Sequence, residues 1–160
     1  MKKQQSGFTM IELIMVIVIL GILAAFALPR FANFGTDARV AAMQGLAGAV
    51  KSASAIAHAS ALITPPVSNS ITLEGASIAM AGTYPAASMA GIGAAAQLEQ
   101  GGADYEVTAT GSTLTVASTS NAACLFTYTT NFTAANGTDP EVDSAPTINS
   151  AALTEANCGG

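Results

Sequence analysis

Phe8-Thr9-Met10-Ile11-Glu12-Leu13-Ile14-Met15-Val16-Ile17-Val18-Ile19-Leu20-Gly21-Ile22-Leu23-Ala24-Ala25-Phe26-Ala27-Leu28 is an apolar run interrupted by one charge, Glu12. As a helix it would rise roughly 31 Å, the thickness of a bilayer's hydrocarbon core. Lys2 and Lys3 lie just before it, so the N-terminal end stays cytoplasmic and the remainder faces outward. An ordinary secretory signal peptide has the same outline: a basic start, an apolar run, then small residues such as Ala24, Ala25 and Ala27. Two features weigh against it. The run is at the long end for a signal, and a carboxylate four residues into the run costs an isolated membrane helix a few kcal/mol or forces its protonation. No other residue of the run is basic. The natural partner for Glu12 is a positive amine created by cutting just before Phe8, on a neighbouring copy of the same chain.

Lys2-Lys3-Gln4-Gln5-Ser6-Gly7 before Phe8-Thr9-Met10-Ile11-Glu12-Leu13, followed by the long apolar run, closely resembles the leader and mature start of type IV pilins. The resemblance from Gly7 to Arg30 ties cleavage site, acid and helix together, with Met10 standing where many members have Leu. It implies that a prepilin peptidase cuts after Gly7 and methylates the new amine of Phe8. It also implies that Glu12 pairs with the Phe8 amine of an adjacent subunit during assembly. Pro29 cannot donate to the Ala25 carbonyl, so a kink or local loss of helix is expected. In pilin-type filaments the stretch between Gly21 and Pro29 can lose helix on assembly.

The remaining composition suits an exported chain. It is 51% hydrophobic and only 9% charged, with a formal net charge of −5, where about a quarter charged is usual for a soluble domain. Lys2, Lys3, Arg30, Arg39 and Lys51 are the basic residues; with none beyond position 51, the charge argues against a nucleic-acid partner. Cys124 and Cys158 form no CxxC, and one histidine, His58, completes no zinc set. In an exported chain the plain reading of the two cysteines is one disulfide. No Ser/His/Asp, Cys/His or paired-carboxylate constellation is present, so neither an enzyme nor a cofactor is expected.

Working outward, Leu46, Val50, Ala53 and Ala57 recur at helical spacing, with Met43 and Ala47 beside them. This predicts an amphipathic helix with a small-residue stripe, stopping before Thr64-Pro65-Pro66. From Val67 to about Gly102 the chain reads as a connecting region with one short strand near Ile71–Leu73 or Ile78–Met80. Alternation then predicts strands at 104–109 and 113–116 around a Thr110-Gly111-Ser112 turn. A third strand at 123–129 puts Cys124, Phe126 and Tyr128 on one face. Residues 131–157 read as loop. Asp139, Glu141 and Asp143 alternate as calcium ligands can, but Ser144 and Ser150 occupy the Gly and Glu places of an EF-hand, so a solvated acidic turn is the reading and no metal site is assigned. Asn131-Phe132-Thr133 and Asn136-Gly137-Thr138 match the N-glycosylation pattern, which occurs often by chance.

The expectation is thus an α+β chain of the type IV pilin fold: a long N-terminal helix packed on a small antiparallel sheet with a C-terminal disulfide loop. Its parts are a leader at 1–7, a transmembrane and filament-core helix at 8–30, an amphipathic half at 31–64 and a β-rich head at 65–160. Such a loop also resembles the type IVa class. Within it, Pro29-Arg30-Phe31, Asp37-Ala38-Arg39-Val40, Gly45-Leu46, Lys51-Ser52-Ala53 and His58-Ala59 resemble the mannose-sensitive haemagglutinin group, which implies surface attachment and biofilm initiation. The implied partners are further copies of the chain in a helical homopolymer, the prepilin peptidase, the pilus assembly machinery, the inner membrane before assembly and a surface receptor. A type II secretion pseudopilin and a monomeric membrane-anchored binding module remain as alternatives. The pilin reading predicts that the assembled subunit starts at methylated Phe8. Losing Lys2 and Lys3 leaves three basic against ten acidic side chains, a formal charge of −7. Mass spectrometry of sheared filaments checks this; an intact Met1 or a cut near Ala27 contradicts it.

Overall fold

The computed structural model describes residues 8–32, 34–133 and 142–159, and of 28–32 and 142 the backbone alone. Gly7 and the rest of the leader, and the acidic turn with Asp139 and Glu141, lie outside these residues. The chain divides into two compact units, Met1–Gly35 and Thr36–Gly160. In the first, helix α1 spans Met10–Ala32. Helix continues through both Gly21 and Pro29, so the single chain shows no local loss of helix there. A proline removes one ladder hydrogen bond, and the turns on either side hold the helix.

The second unit is built on helix α2, Phe34–Ile63, which ends immediately before Thr64-Pro65-Pro66 as its sequence requires. Met43, Ala47, Val50, Ala53, Ser54, Ala57 and Ala61 are its buried residues, the expected stripe with Leu46 only half-buried and Ser54 and Ala61 added. Two antiparallel sheets accompany it. One has strands β1 (Ser70–Leu73), β2 (Ala76–Ala81) and β3 (Tyr84–Pro85) in that order. The other has β4 (Tyr105–Thr110), β5 (Thr113–Ser118), β6 (Leu125–Thr133) and β7 (Val142–Asn149), again in chain order. The turn at Gly111 and Ser112 pairs Thr110 with Thr113 as the alternation predicts. Cys124, Phe126 and Tyr128 share a fully buried face with Leu114 and Val116.

Two expectations are corrected. The connecting region 67–102 contains the whole three-stranded sheet and a π-helical turn, Met89–Gly93, capped by Ser88. Much of 131–157 is strand: β6 continues to Thr133 and β7 pairs with it from Thr127↔Asn149 to Thr133↔Val142. Close approaches of backbone explain two glycines. A Cβ on Gly91 would stand 2.2 Å from the Ala86 carbonyl oxygen. Gly82 has φ +65, and a Cβ there would meet Asp143 and Phe132 at 2.7 Å; both contacts are shorter than side chains tolerate.

The larger core packs Met43, Ala47 and Val50 of α2 against Leu114, Val116, Phe126 and Tyr128, with Ile92 and Leu98 from the segment before β4. A smaller cluster joins Ala57 and Ala61 to Ile71, Ile78 and Met80. Tyr128 connects the two sheets: its buried hydroxyl donates to the Pro85 carbonyl oxygen on β3 at 2.8 Å, and Ser54 Oγ of α2 lies 3.5 Å away. Burial pushes this phenol up to about 12, with the Ser54 contact pulling the other way and Tyr84 adding to the rise. The folded state therefore holds its proton where an unfolded tyrosine, near 10, releases it. The stabilisation is complete below pH 10 and is lost as pH rises from 10 toward 12. Chemical denaturation at pH 8, 10 and 11.5 should show that fall. Tyr128→Phe should cost about 1–3 kcal/mol at pH 8 by orphaning the Pro85 carbonyl, and its denaturation midpoint should fall less over the same interval.

Candidate functional site

Helix α1 opens with a polar arrangement that its sequence contains and that a reading for charge alone passes over. Thr9-Met10-Ile11-Glu12 has the Thr-x-x-Glu spacing of a capping box. The Thr9 backbone N–H and side-chain hydroxyl both donate to Glu12 Oε2, at 2.9 and 2.7 Å, and the Glu12 N–H donates to Thr9 Oγ1 at 3.3 Å. Glu12 thus satisfies donors of the first turn and sits at the positive end of the helix dipole. Thr9 uses one carboxylate oxygen; among the described hydrogen bonds Oε1 has none.

Beyond that turn the helix has no polar face. Every side chain from Phe8 to Phe26 is exposed, from 86% for Phe8 to 47% for Val16 among the large apolar ones. The window Met10–Ala27 has a mean hydropathy of 2.8. A helix apolar all round needs hydrocarbon or other apolar helices about it. Helix α2 is also long and apolar enough to cross a membrane, with mean hydropathy 1.3, but its stripe is packed beneath the sheets.

In the second unit the structure joins Cys124 to Cys158, with Cα atoms 4.6 Å apart. Both are fully buried in the larger core. Cys158 ends a short helix α3, Glu155–Cys158, whose first turn is capped by Thr154. The Arg39 guanidinium of α2 donates to the Cys158 carbonyl oxygen, and Asn121 Nδ2 donates to that of Gly159 at 2.7 Å. The Asp143 carboxylate accepts from the Thr83 N–H and hydroxyl at 2.8 and 2.7 Å, fastening the β2–β3 turn to β7. Nothing in the alternation of acids signals this contact, which depends on Gly82 leaving room. Among the described residues no three His, Cys, Asp or Glu side chains converge on a metal position. His58 stacks on Tyr84 at 3.9 Å and bonds the Thr83 carbonyl oxygen through Nδ1 at 3.1 Å. Asn131 Nδ2 donates to the Ala145 carbonyl oxygen.

Residues 2–28 match the prokaryotic N-terminal methylation motif. The chain is 54% identical over 52 residues to the type IV narrow pilus major component of Thermus thermophilus, covering 32% of this chain and 45% of that protein. It is 42% identical over 53 residues to the type IV major fimbrial protein of Dichelobacter nodosus, covering 33% and 34%. It is 48% identical over 44 residues to the type II secretion system core protein G of Pseudomonas aeruginosa, covering 28% and 31%. The chain therefore matches less than half the length of each of these relatives. No solved structure gives a significant match. The long apolar helix, the antiparallel sheets and the C-terminal disulfide agree with the type IV pilin fold.

Reduction tests the closure of the head. The bridge spans a sequence separation of 34, worth about 4 kcal/mol of unfolded-chain entropy. Reduced protein should unfold at lower denaturant by that order, with residues 150–159 becoming the first to exchange amide hydrogens. Unchanged midpoint and exchange would mean the Arg39 and Asn121 contacts suffice.

Proposed function

We propose that this chain is the structural subunit of an extracellular type IV pilus, inserted in the inner membrane as a single-pass precursor and then polymerised through α1. The observation that carries the reading is Glu12: the one charge between Phe8 and Leu28 in an exposed apolar run, three residues past the capping Thr9 and five positions after Gly7. The prepilin peptidase cuts between Gly7 and Phe8 and methylates Phe8. In the filament core the Phe8 amine of a neighbouring copy approaches Glu12, where low dielectric strengthens the attraction. It can take Oε1 without displacing Thr9 from Oε2. Such a pair between copies also fixes their axial register. The assembly machinery extracts the helix from the membrane, and packing of copies loosens the stretch between Gly21 and Pro29. Residues 8–30 form the core, 31–64 the amphipathic half and 65–160 the displayed head, which performs no catalysis and takes no cofactor. The resemblance of the first 65 residues to the mannose-sensitive haemagglutinin group supports surface attachment and biofilm initiation through a surface receptor.

The similarity to a type II secretion core protein favours a second reading, a pseudopilin sharing leader and helix. The Cys124–Cys158 pair supports the pilus, since major pseudopilins usually carry a calcium loop in place of a cysteine pair.

Two variants separate capping from pairing. Glu12→Ala should insert and be cleaved normally, while sheared surface filaments fall about tenfold or more, because stranding one partner of a buried pair costs roughly 3–5 kcal/mol. Thr9→Ala removes one hydroxyl from the cap, about 1 kcal/mol of helix stability, and should reduce filaments far less. Immunoblots of membrane and sheared fractions give both numbers. Normal filaments from Glu12→Ala would refute the pairing; equal losses from both variants would assign Glu12 to the cap alone.

A further inference from the structure

The outward face of the four-stranded sheet carries a two-rank lattice of hydroxyls. Cross-strand pairing places Thr110, Thr113, Thr129 and Thr147 in one rank across β4, β5, β6 and β7. The next rank is Thr108, Thr115, Thr127 and Asn149. Each strand thus contributes a Thr-x-Thr or Thr-x-Asn triplet whose middle residue, Ala109, Leu114, Tyr128 or Ile148, faces the other way. These eight positions are exposed or half-exposed.

The face has a distinctive chemistry. Neither rank contains an aromatic or a charged side chain; the nearest acid on this face, Glu106, stands one rank further on with Ala117 and Leu125. Stacking on sugars needs aromatic rings, phosphates need cations, and small ligands need concavity. Within the ranks none of the three is offered; at the β7 edge Thr147 borders a hollow shared with Lys51 and Tyr84. What is offered is repetition. Strands lie about 4.8 Å apart and alternate residues about 6.8 Å apart along a strand, so the threonines of both ranks repeat a methyl and a hydroxyl on a near-rectangular mesh, with Asn149 the one amide in it. Threonine is stiff at χ1, and Thr113 Oγ1 and Thr129 Oγ1 hold one another at 3.0 Å, so the hydroxyls are positioned before anything binds. A twist of roughly 20–25° per strand displaces neighbouring strands by about 1.4 Å at the ends of a mesh two ranks deep and accumulates to roughly 60–75° across the four strands, so the mesh is flattest over the central pair β5 and β6. The mesh is close to the spacing of oxygens on the prism faces of ice.

We propose that this face binds ice, its hydroxyls and methyls ordering a water layer that joins the crystal lattice. The site belongs to the head alone and does not rest on filament formation, although an array of copies would multiply a weak single-site attachment.

The test partitions full-length protein into slowly grown ice, both as sheared filaments and as the whole chain in phosphatidylcholine vesicles. Wild-type filaments should be enriched in the ice fraction roughly tenfold or more over a non-binding protein, as expected of linked weak sites. Thr115→Lys and Thr127→Lys should fall to the control level with the disulfide closed and the circular dichroism unchanged. Thr108→Lys, on the edge strand and exposed, supplies the same test should either central variant fold poorly. Thr72→Lys, exposed on β1, should partition like wild type. Absence of enrichment in both preparations overturns the proposal, as does undiminished enrichment of the lattice variants or equal loss in Thr72→Lys. Threonine-dependent retention on an insoluble uncharged polysaccharide without ice partition also overturns it. Failure to form filaments leaves the vesicle arm to decide, so loss of the pilus reading is read separately.

Discussion

The head depends on how closely a sheet can approach α2, and that is set by small side chains. Ala47, Ala53, Ala57 and Ala61 make up most of the helix's buried stripe, with Met43 and Val50 as its larger members. The bulk that fills the interface comes from the other side: Phe126, Tyr128, Ile92, Leu114 and Ile78 are all fully buried. A Leu-rich stripe would hold the sheet further off and leave the Ser54 and Tyr128 hydroxyls out of reach. At the observed approach one phenol touches the helix and both sheets through Ser54 and the Pro85 carbonyl. Small residues facing large ones give native packing density without long flexible side chains. This fits a chain that carries little charge and gains little from ion pairs.

The elements legible in the sequence were those with strong, uninterrupted patterns. The apolar run, the end of α2 at Ile63, the hairpin around Gly111 and the Cys124–Phe126–Tyr128 face each rest on a period or a punctuation that few alternatives share. The three-stranded sheet was missed because alanine blurs alternation: in β2 only Ile78 and Met80 stand out among Ala and Ser. Strand β7 was missed because Asp143 and Pro146 argue against a strand. Both are tolerable on an edge, and β7 is the sheet's last strand. The Thr9–Glu12 cap was present as a four-residue pattern but eclipsed by the question of how a charge survives in a membrane. Asp143 was grouped with its acidic neighbours in sequence, whereas its partner Thr83 is 60 residues away.

That cap alters how the apolar helix is understood as a monomer. An acid whose oxygen already accepts two hydrogen bonds is less foreign to the end of a membrane helix than an unsatisfied one. On the proposed reading, a Glu12 carboxylate already bonded to the Thr9 N–H and hydroxyl gains less on meeting a cationic neighbour than a bare carboxylate would. Geometry, through the unused oxygen, then matters as much as charge.

The placement of cations has a consequence for proteolysis. Arg39 and Lys51 both lie on α2, and Arg39 is bonded to the carbonyl of Cys158. From residue 52 to 160 there is neither lysine nor arginine. Trypsin-like proteases, which require a basic residue before the cut, therefore find no scissile bond in any strand or loop of the sheets, folded or not. The exposed polar surface of the head is closed to that whole class of enzyme by composition, before stability enters.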